Sequence, residues 1–559
     1  VLTGPNLYFP SPTVKLTLDA TAALHADPAD LLSWQRALAL HGSPIGLPGS
    51  PARGQAAADL AAALVRRAAA RLRRRVAAVG EVADDDTVIA AFPFTWRGTA
   101  EALGVAVASG FDAISRGIVT PSGFLATVPQ LVPERDAGEA VRALRPRIPV
   151  IAVTGTNGKT TTTRLVAHLL AEGGHVPGWS STDGIVVAGE VVETGDWSGP
   201  GGAARVLSDP RVTVAVTETA RGGILLRGVG TATNDVSVVT NISADHLGLL
   251  GVHTLEQLAR VKAVVPRITR PTGWAVLNAD DPLVLGMRAV TRARPWLYSL
   301  DPTHRALREA LDAGGRAMTV LDDHVTVLRH GLDPTPVAAV ADIPLTLAGT
   351  SAVNISNVLA ATAAALATGA TLATVRAGLA GFAADAAHNS GRLNLYEVGS
   401  TVVVLDLAHN EASLSSLLGV AAGLRLHSGE LVAVVSTAGD RADVAIHAMG
   451  AMAASRADRM VIAGKSRYLR GRDADELIGL WRSGAAEAGV ANPMVAEDEV
   501  GALRMLLDEQ GPGGAMPPGS IIAVCALEQR PELVSMIEDA GGHEMLPAEI
   551  ADRVAAARV

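Results

Sequence analysis

At 559 residues the chain has room for about three or four domains. Its 48% hydrophobic and 18% charged content describes a packed globular chain and excludes a disordered one. A net charge of −9 gives no footing for a nucleic-acid or anionic-membrane partner, and the single cysteine, Cys525, excludes an internal disulfide or a zinc site built on several thiolates and suits a reducing cytoplasm.

The first unit spans residues 1 to about 145. It opens on Gly4-Pro5-Asn6-Leu7-Tyr8 without a signal-peptide pattern, and alternation over Thr13–Leu18 predicts a strand. An Ala/Arg-rich segment from Gln55 to Val79 has helical spacing. Its arginines, among them Arg66, Arg67, Arg71, Arg73, Arg74 and Arg75, read as a solvated helix face rather than a polyanion site. A strand–helix pair follows from Thr87 through Val107, and Leu144–Pro149, with its two prolines, reads as a linker.

The stretch Val150-Ile151-Ala152-Val153-Thr154-Gly155-Thr156-Asn157-Gly158-Lys159-Thr160 organises the second unit, residues 146–388. A β-branched run ends in a glycine turn, then a lysine, then threonines that open a helix. The spacing predicts a buried strand feeding a phosphate-binding loop. Glycines let backbone N–H groups approach phosphate oxygens, Lys159 adds a point charge, and Thr160 can ligate magnesium. Val153 stands where the common P-loop has its first glycine, so the loop is a compact variant.

Strands are expected at Thr213–Thr217, Val236–Thr240 and Trp274–Leu277, giving a largely parallel α/β sheet. Polar residues follow each strand, where ligands sit in such sheets: Glu218, then Asn241 to Gly248 with His246, then Asn278-Ala279-Asp280-Asp281. Glu218 and His246 beside a phosphate loop can complete a magnesium shell with Thr160. Lys262 falls sixteen residues after His246; a solvated helix lysine and a functional one are both open readings. From Asp301 to about Val340 the pattern weakens into irregular hairpins or a small insertion. The charge-free run Ile343–Val375, broken by Pro344, Asn354 and Asn357, reads as a buried loop and helix and not a membrane span. Asn354 and Asn357 can cap that helix or read an adenine edge.

Residues 389–559 form a third α/β unit. Strands are expected at Thr401–Leu405, Leu431–Val435, Met460–Ala463 and Ile521–Val524. Asp406 at a strand end suits a ribose or a bridging lysine, and Arg392 suits a phosphate or carboxylate. A helix cap and a surface arginine are the structural alternatives. Cys525 reads as inert core.

Several strings carry a family resemblance: Val153–Leu165, Thr182-Asp183-Gly184-Ile185, Glu218–Leu225, Thr240–Gly248, Val276–Pro282, Gly391–Leu395, Asp406–Asn410 and Gly439-Asp440-Arg441. From Val150 onward the chain resembles the Mur ligase superfamily, in particular the Mur-ligase-like half of cyanophycin synthetases, and the Gly4-Pro5-Asn6 start resembles their N-terminal domain. The resemblance implies a small α+β N-terminal domain, a central P-loop ATPase domain and a Rossmann-like C-terminal domain. It implies a cytoplasmic enzyme that forms an amide from a carboxylate and an amine, with ATP and Mg2+, through an acyl phosphate. Gly155, Thr156, Asn157, Gly158, Lys159, Thr160 and Thr161 would bind the nucleotide. Asn354 and Asn357 would lie near adenine, Arg392 at the phosphates and Asp406 at the ribose. Thr160, Glu218 and His246 would hold the metal, and Lys262 is the candidate for carbamylation.

Two departures bear on substrate. Cyanophycin synthetases carry an ATP-grasp domain between their N-terminal and Mur-like parts, where this chain has only the linker near residue 146, so one ligation rather than an alternating pair is expected. Leu407 and Glu411 replace the usual Tyr and Pro, and Ser390 replaces the Pro before the Gly-Arg pair. An amino acid or peptide is the expected substrate, arginine onto an aspartyl carboxylate being the family's precedent. Neither nucleic acid nor membrane is expected as a partner, and a homo-oligomer is compatible with the sequence. The reading from a different class is a nucleotide-binding regulatory or scaffold subunit without turnover, working beside a separate ATP-grasp protein.

Overall fold

The computed structural model describes residues 1–40, 44–132, 137–465, 467–509 and 516–559. They build three sheets, each with its own helices.

The first sheet comprises β1 (Thr13–Asp19), β2 (Val79–Asp84) and β3 (Thr87–Pro93), antiparallel in the order β1-β3-β2. Helices α1 (Pro51–Arg71) and α2 (Arg97–Ser115) pack on it around an Ala- and Leu-rich core. The helix expected to reach Val79 stops at Arg71, and Val79 begins a strand. Nothing in an Ala/Arg run signals a helix end. The tertiary reason is a close crossing, since a side-chain carbon on Gly80 would meet the Ala58 carbonyl oxygen at 2.1 Å. The arginines from Arg66 to Arg75 are exposed, as a solvated face requires.

The opening Gly4-Pro5-Asn6 is a buried knot. The Asn6 amide donates to the Gly4 carbonyl (2.9 Å), the Ser11 carbonyl (3.1 Å) and Thr13 Oγ1 (2.9 Å). This strap docks on the central unit, where Val229 N donates to the Pro5 carbonyl (2.7 Å) and Arg267 donates to the carbonyls of Asn6 and Leu7.

The second sheet contains β4 (Val150–Thr154), β5 (Val214–Glu218), β6 (Asn234–Val239) and β7 (Thr269–Asn278). Parallel pairing runs from Pro177–Ser181 through β5, β4, β6, β7 and Arg294–Ser299 to Arg316–Leu321, with antiparallel hairpin strands at both margins. Strands buried on both faces read as continuous apolar runs, which is why these were visible in the sequence. The stretch expected to hold irregular hairpins or a small insertion, Asp301 to Val340, is a helix (Arg305–Asp312) and three strands that pair as two antiparallel hairpins and extend the main sheet. Only Thr335–Ala339 lies at the edge; the other two are paired on both sides, and Arg316–Leu321 joins the main sheet through Arg294–Ser299. Helices α3 (Lys159–Glu172), α4 (Leu255–Lys262) and α5 (Ala352–Thr368) flank the sheet.

The third sheet contains β8 (Asn394–Val398) and β9 (Thr401–Asp406), followed by α6 (Glu411–Leu424). β9, Ile521–Cys525, Leu431–Val435, Arg459–Ala463 and Met494–Ala496 are parallel, and β8, then His543–Glu544 at the margin, pair antiparallel beside β9. Cys525 is fully buried, and burial pushes its thiol up to about 12, so it is inert core. One apolar cluster continues from α3 and α5 into β9 and α6, tying the second and third sheets together. No described helix is long and apolar enough to cross a membrane.

Candidate active site

The loop between β4 and α3 lies at the C-terminal ends of the parallel strands. Gly155 (φ +149°) passes so close to the end of β6 that a side-chain carbon would sit 1.8 Å from Thr240 Oγ1. Gly158 (φ +81°) caps α3 in the left-handed region, with no room beside Asn357 Oδ1. Asn241 braces the loop from outside: its carbonyl accepts from Thr156 N (2.8 Å), its Oδ1 from Asn157 N (2.9 Å), and its Nδ2 donates to the Asn157 carbonyl (3.0 Å). Lys262, the last residue of α4, donates from Nζ to the Gly155 carbonyl at 2.6 Å. Burial, with Lys159 nearby, holds its amine well below the usual lysine range.

Lys159 Nζ donates to the Thr156 carbonyl (2.7 Å) and lies 4.0 Å from Glu218 Oε1. Thr160 Oγ1 donates to Glu218 Oε2 at 2.8 Å. The Glu218 side chain is fully buried, and its Oε1 has no hydrogen-bond donor. A buried carboxylate oxygen without a hydrogen-bond donor, beside a hydroxyl, offers hard donors that fit a divalent cation of the magnesium kind. His246 lies elsewhere. Its ring faces the third sheet, with Arg441 NH1 at 2.7 Å from Nδ1 and Asp440 Oδ2 at 3.3 Å.

The third sheet supplies the opposite wall. Arg392 donates from NH2 toward Thr160 Oγ1 (3.4 Å) and from NH1 to the Gly391 carbonyl (3.0 Å). Asp406 Oδ2 accepts from Leu393 N (2.9 Å), holding Leu393 at φ +54°. Burial raises the Asp406 carboxyl to about 6, against the pull of Arg392. Asn354 and Asn357, on the first turns of α5, are occupied with each other: Asn357 Nδ2 donates to Asn354 Oδ1 (3.2 Å), and Asn354 Nδ2 to the Leu345 carbonyl (2.9 Å). Thr161 Oγ1 accepts from Asn389 Nδ2 (3.2 Å).

Two cavities meet on this loop. One, of about 610 Å³, is lined by Gly158, Asn354, Asn357, Arg392 and Asp406. The other, of about 790 Å³, is lined by Glu218, Arg221, His246, Lys262 and Trp197. Thr156, Lys159, Thr160, Arg392, Leu407 and His409 line both. The structure thus gathers the predicted phosphate, adenine and ribose residues around the first cavity, and Glu218, His246 and Lys262 around the second.

Sequence spacing missed the cluster that joins the sheets. Arg441 NH2 pairs with Asp245 Oδ1 (3.2 Å), and its Nε donates to the His409 carbonyl (3.1 Å). Burial pushes the His409 ring down to about 4, so it is neutral at pH 7. Burial raises the Asp245 carboxyl, but His409, Arg441, His246 and Lys159 outweigh it and hold the group below the ordinary range. The hydrogen bond with His246 brings Asp440 down to about 2. Asn157 and Asn410 exchange amide bonds across the same boundary (3.2 and 3.1 Å). A further relay begins on α3: Arg164 pairs with Asp183 (2.7 Å) and donates to the Ser390 carbonyl (3.2 Å), and Asp183 lies 3.9 Å from Arg392. The sequence signal for these residues was their place in the strings Val153–Leu165, Thr182–Ile185, Thr240–Gly248, Asp406–Asn410 and Gly439-Asp440-Arg441.

Comparison with known proteins agrees with this geometry. The Mur ligase middle domain matches residues 153–365, and the Mur ligase, glutamate ligase domain matches residues 391–526. Cyanophycin synthetase of Crocosphaera subtropica is 37% identical over 387 residues, covering 69% of this chain and 44% of that protein. The Synechocystis cyanophycin synthetase is 39% identical over 365 residues, covering 65% and 41%. The chain therefore spans less than half the length of these curated relatives. A crystal structure of a bifunctional folylpolyglutamate synthase/dihydrofolate synthase, with Mn, AMPPNP and L-glutamate bound, shares the fold at 18% identity and a TM-score of 0.51, covering 71% of this chain and 91% of that one. With both catalytic modules matched in order, on either side of the boundary that the two cavities straddle, the chain belongs to the Mur ligase superfamily.

Proposed function

We propose that the protein is an ATP-dependent carboxylate–amine ligase that forms an amide through an acyl phosphate. The observation that carries this reading is the pair of cavities joined at one phosphate loop, with Arg392 and Asp406 approaching from the third sheet. A nucleotide in the first cavity would present its terminal phosphate to the second, where a carboxylate and an amine can enter. The three sheets also support the division into domains 1–145, 146–388 and 389–559.

In this reading the α3 N-terminus, the loop N–H groups, Lys159 and Arg392 neutralise the triphosphate. Thr160 and Glu218 would hold magnesium, which adds charge neutralisation at the transferring phosphoryl group. His246 would join them only by turning from Arg441. The acceptor carboxylate oxygen bonds to the γ-phosphorus as the bond to the β-phosphate bridging oxygen breaks, releasing ADP. The amine nitrogen then attacks the acyl carbon, the bond to phosphate breaks, and the amine proton passes to solvent. Positioning and charge neutralisation carry both steps. Asp406 would accept from the ribose, and the paired Asn354 and Asn357 would form the wall beside adenine. Lys262, with its amine driven toward the neutral form, is the residue suited to carbamylation, which intact mass spectrometry in bicarbonate would reveal. The acceptor is an amino acid or peptide carboxylate, and arginine is the first amine to try.

The test is phosphate release with the full chain, magnesium and ATP against a panel of amino acids and aspartyl peptides, with mass spectrometry of products. Turnover that needs both a carboxylate and an amine supports the ligase. Nucleotide binding without turnover for every pairing supports a scaffold subunit instead.

A further inference from the structure

The end of the central sheet opposite the phosphate loop carries three guanidiniums in a row. Arg294 and Arg316 begin the parallel strands Arg294–Ser299 and Arg316–Leu321, and Arg329 ends the antiparallel strand His324–Arg329, directly opposite Arg316. Trp274 is registered with Arg294, and Trp296 with Arg316. The guanidinium carbons of Arg294 and Arg316 lie 4.1 and 4.8 Å from the centroid of the Trp274 ring, and Arg316 lies 4.9 Å from that of Trp296.

Among the described residues, none of the three forms an ion pair with a carboxylate within 4.0 Å. The acids on the adjoining helix, Glu309 and Asp312, are taken by Arg288, Arg305 and His330. Arg294 donates to the Thr272 carbonyl (2.8 Å) and Arg329 to Thr335 Oγ1 (3.3 Å), while Arg329 Nε is buried with no partner. Like charges directly opposite on paired strands repel. Burial, then Arg329 and Arg294, hold Arg316 below the usual arginine range. Stacking on tryptophan fixes the guanidiniums in place but does not cancel their charge. The stacking stabilises these arginines but leaves them, among the described residues, without a carboxylate partner in a chain whose net charge is −9.

We propose that this corner binds a small multivalent anion. Neighbouring strands are about 4.8 Å apart, and Arg294 stands two residues before Trp296, the partner of Arg316, so the three positions span roughly 12 Å on a diagonal. Their guanidinium forks suit a ligand with two or three oxyanions, as in a tricarboxylate or an oligophosphate. The site lies at the far end of the sheet from the phosphate loop and does not depend on the ligase reading.

Calorimetric titration of the full chain with citrate and, separately, tripolyphosphate tests it and tells carboxylate from phosphate. To separate this site from the phosphate loop, both titrations are repeated in Lys159→Ala. A binding event that survives Lys159→Ala and weakens at least tenfold in Arg316→Gln and in Arg329→Gln is expected. Loss of all binding in Lys159→Ala would overturn the proposal, as would unchanged affinity in both glutamine variants. If Arg316→Gln fails to fold, the exposed Arg294→Gln serves with Arg329→Gln. Lower melting temperatures in these variants with identical anion titrations would mark the stack as packing only.

Discussion

The phosphate loop and the cluster around Asp245 lie side by side but are built by opposite routes. The loop comes from one contiguous strand, turn and helix, braced within its own sheet by Asn241 and Lys262. The cluster takes Asp245 and His246 from one sheet and His409, Asp440 and Arg441 from another, nearly two hundred residues away. The shape of the loop is set within its own sheet, whereas the cluster exists only while the two sheets are docked. Binding and turnover should therefore be separable by mutation.

The sharpest break is at the loop. Lys159→Ala should lose ~3–4 kcal/mol of transition-state stabilisation, a fall of at least two orders of magnitude in kcat/KM, with weaker nucleotide binding. Equilibrium binding of a fluorescent nucleotide that matched wild type would sink the assignment of Lys159. Glu218→Gln should come close in kcat while keeping much of the nucleotide affinity, because in the proposed function Glu218 would hold the metal and make no phosphate contact. Activity unchanged across a magnesium titration would remove Glu218 from that role.

At the cluster the expected effects are smaller and of a different kind. Arg441→Ala should lower kcat by about tenfold, near 1.4 kcal/mol, with nucleotide affinity little changed. Domain separation seen by small-angle scattering should rise with it; equal loss of nucleotide affinity would erase the distinction between loop and cluster. Asn410→Ala, which removes one exchanged amide pair, should cost about 1 kcal/mol of stability, read by urea denaturation.

Asp406 tests the boundary by pH. Its folded value, about 6, lies above the ordinary 3.8, so the folded state binds more protons in between. Its contribution to stability is fully present below pH 3.8 and is lost as pH rises through about 6. Asp406→Asn, which imitates the protonated acid, should show a smaller fall in melting temperature between pH 4.5 and 7.5. A slope identical to that of wild type would contradict the burial argument.

The parts legible in the sequence were those encoded by neighbours in the chain. β4 with its loop, the buried strands β5 to β7, and Glu218 at a strand end could be read because apolar runs and glycine turns are local signals. The end of α1 could not, since only the crossing of Gly80 over Ala58 sets it. After Asp301 hairpins could be read but not their place in the main sheet, which depends on pairing with Arg294–Ser299. His246 was placed with the metal donors from its position after a strand end and from the family resemblance; in the fold its ring faces Arg441, a contact no spacing encodes.

By itself, the sequence determined two α/β units behind a small α+β one, a phosphate loop after a buried strand and a set of motif strings that fix the family, because each depends on residues within a turn or two of one another. Only the tertiary structure decided that the loop is shared by two cavities, that Arg441 and Asp245 close the boundary between sheets, and that Arg294, Arg316 and Arg329 share one corner without a counter-charge. Those are contacts between strands and sheets, and their energies arise from desolvation and charge that appear only when distant segments are packed together.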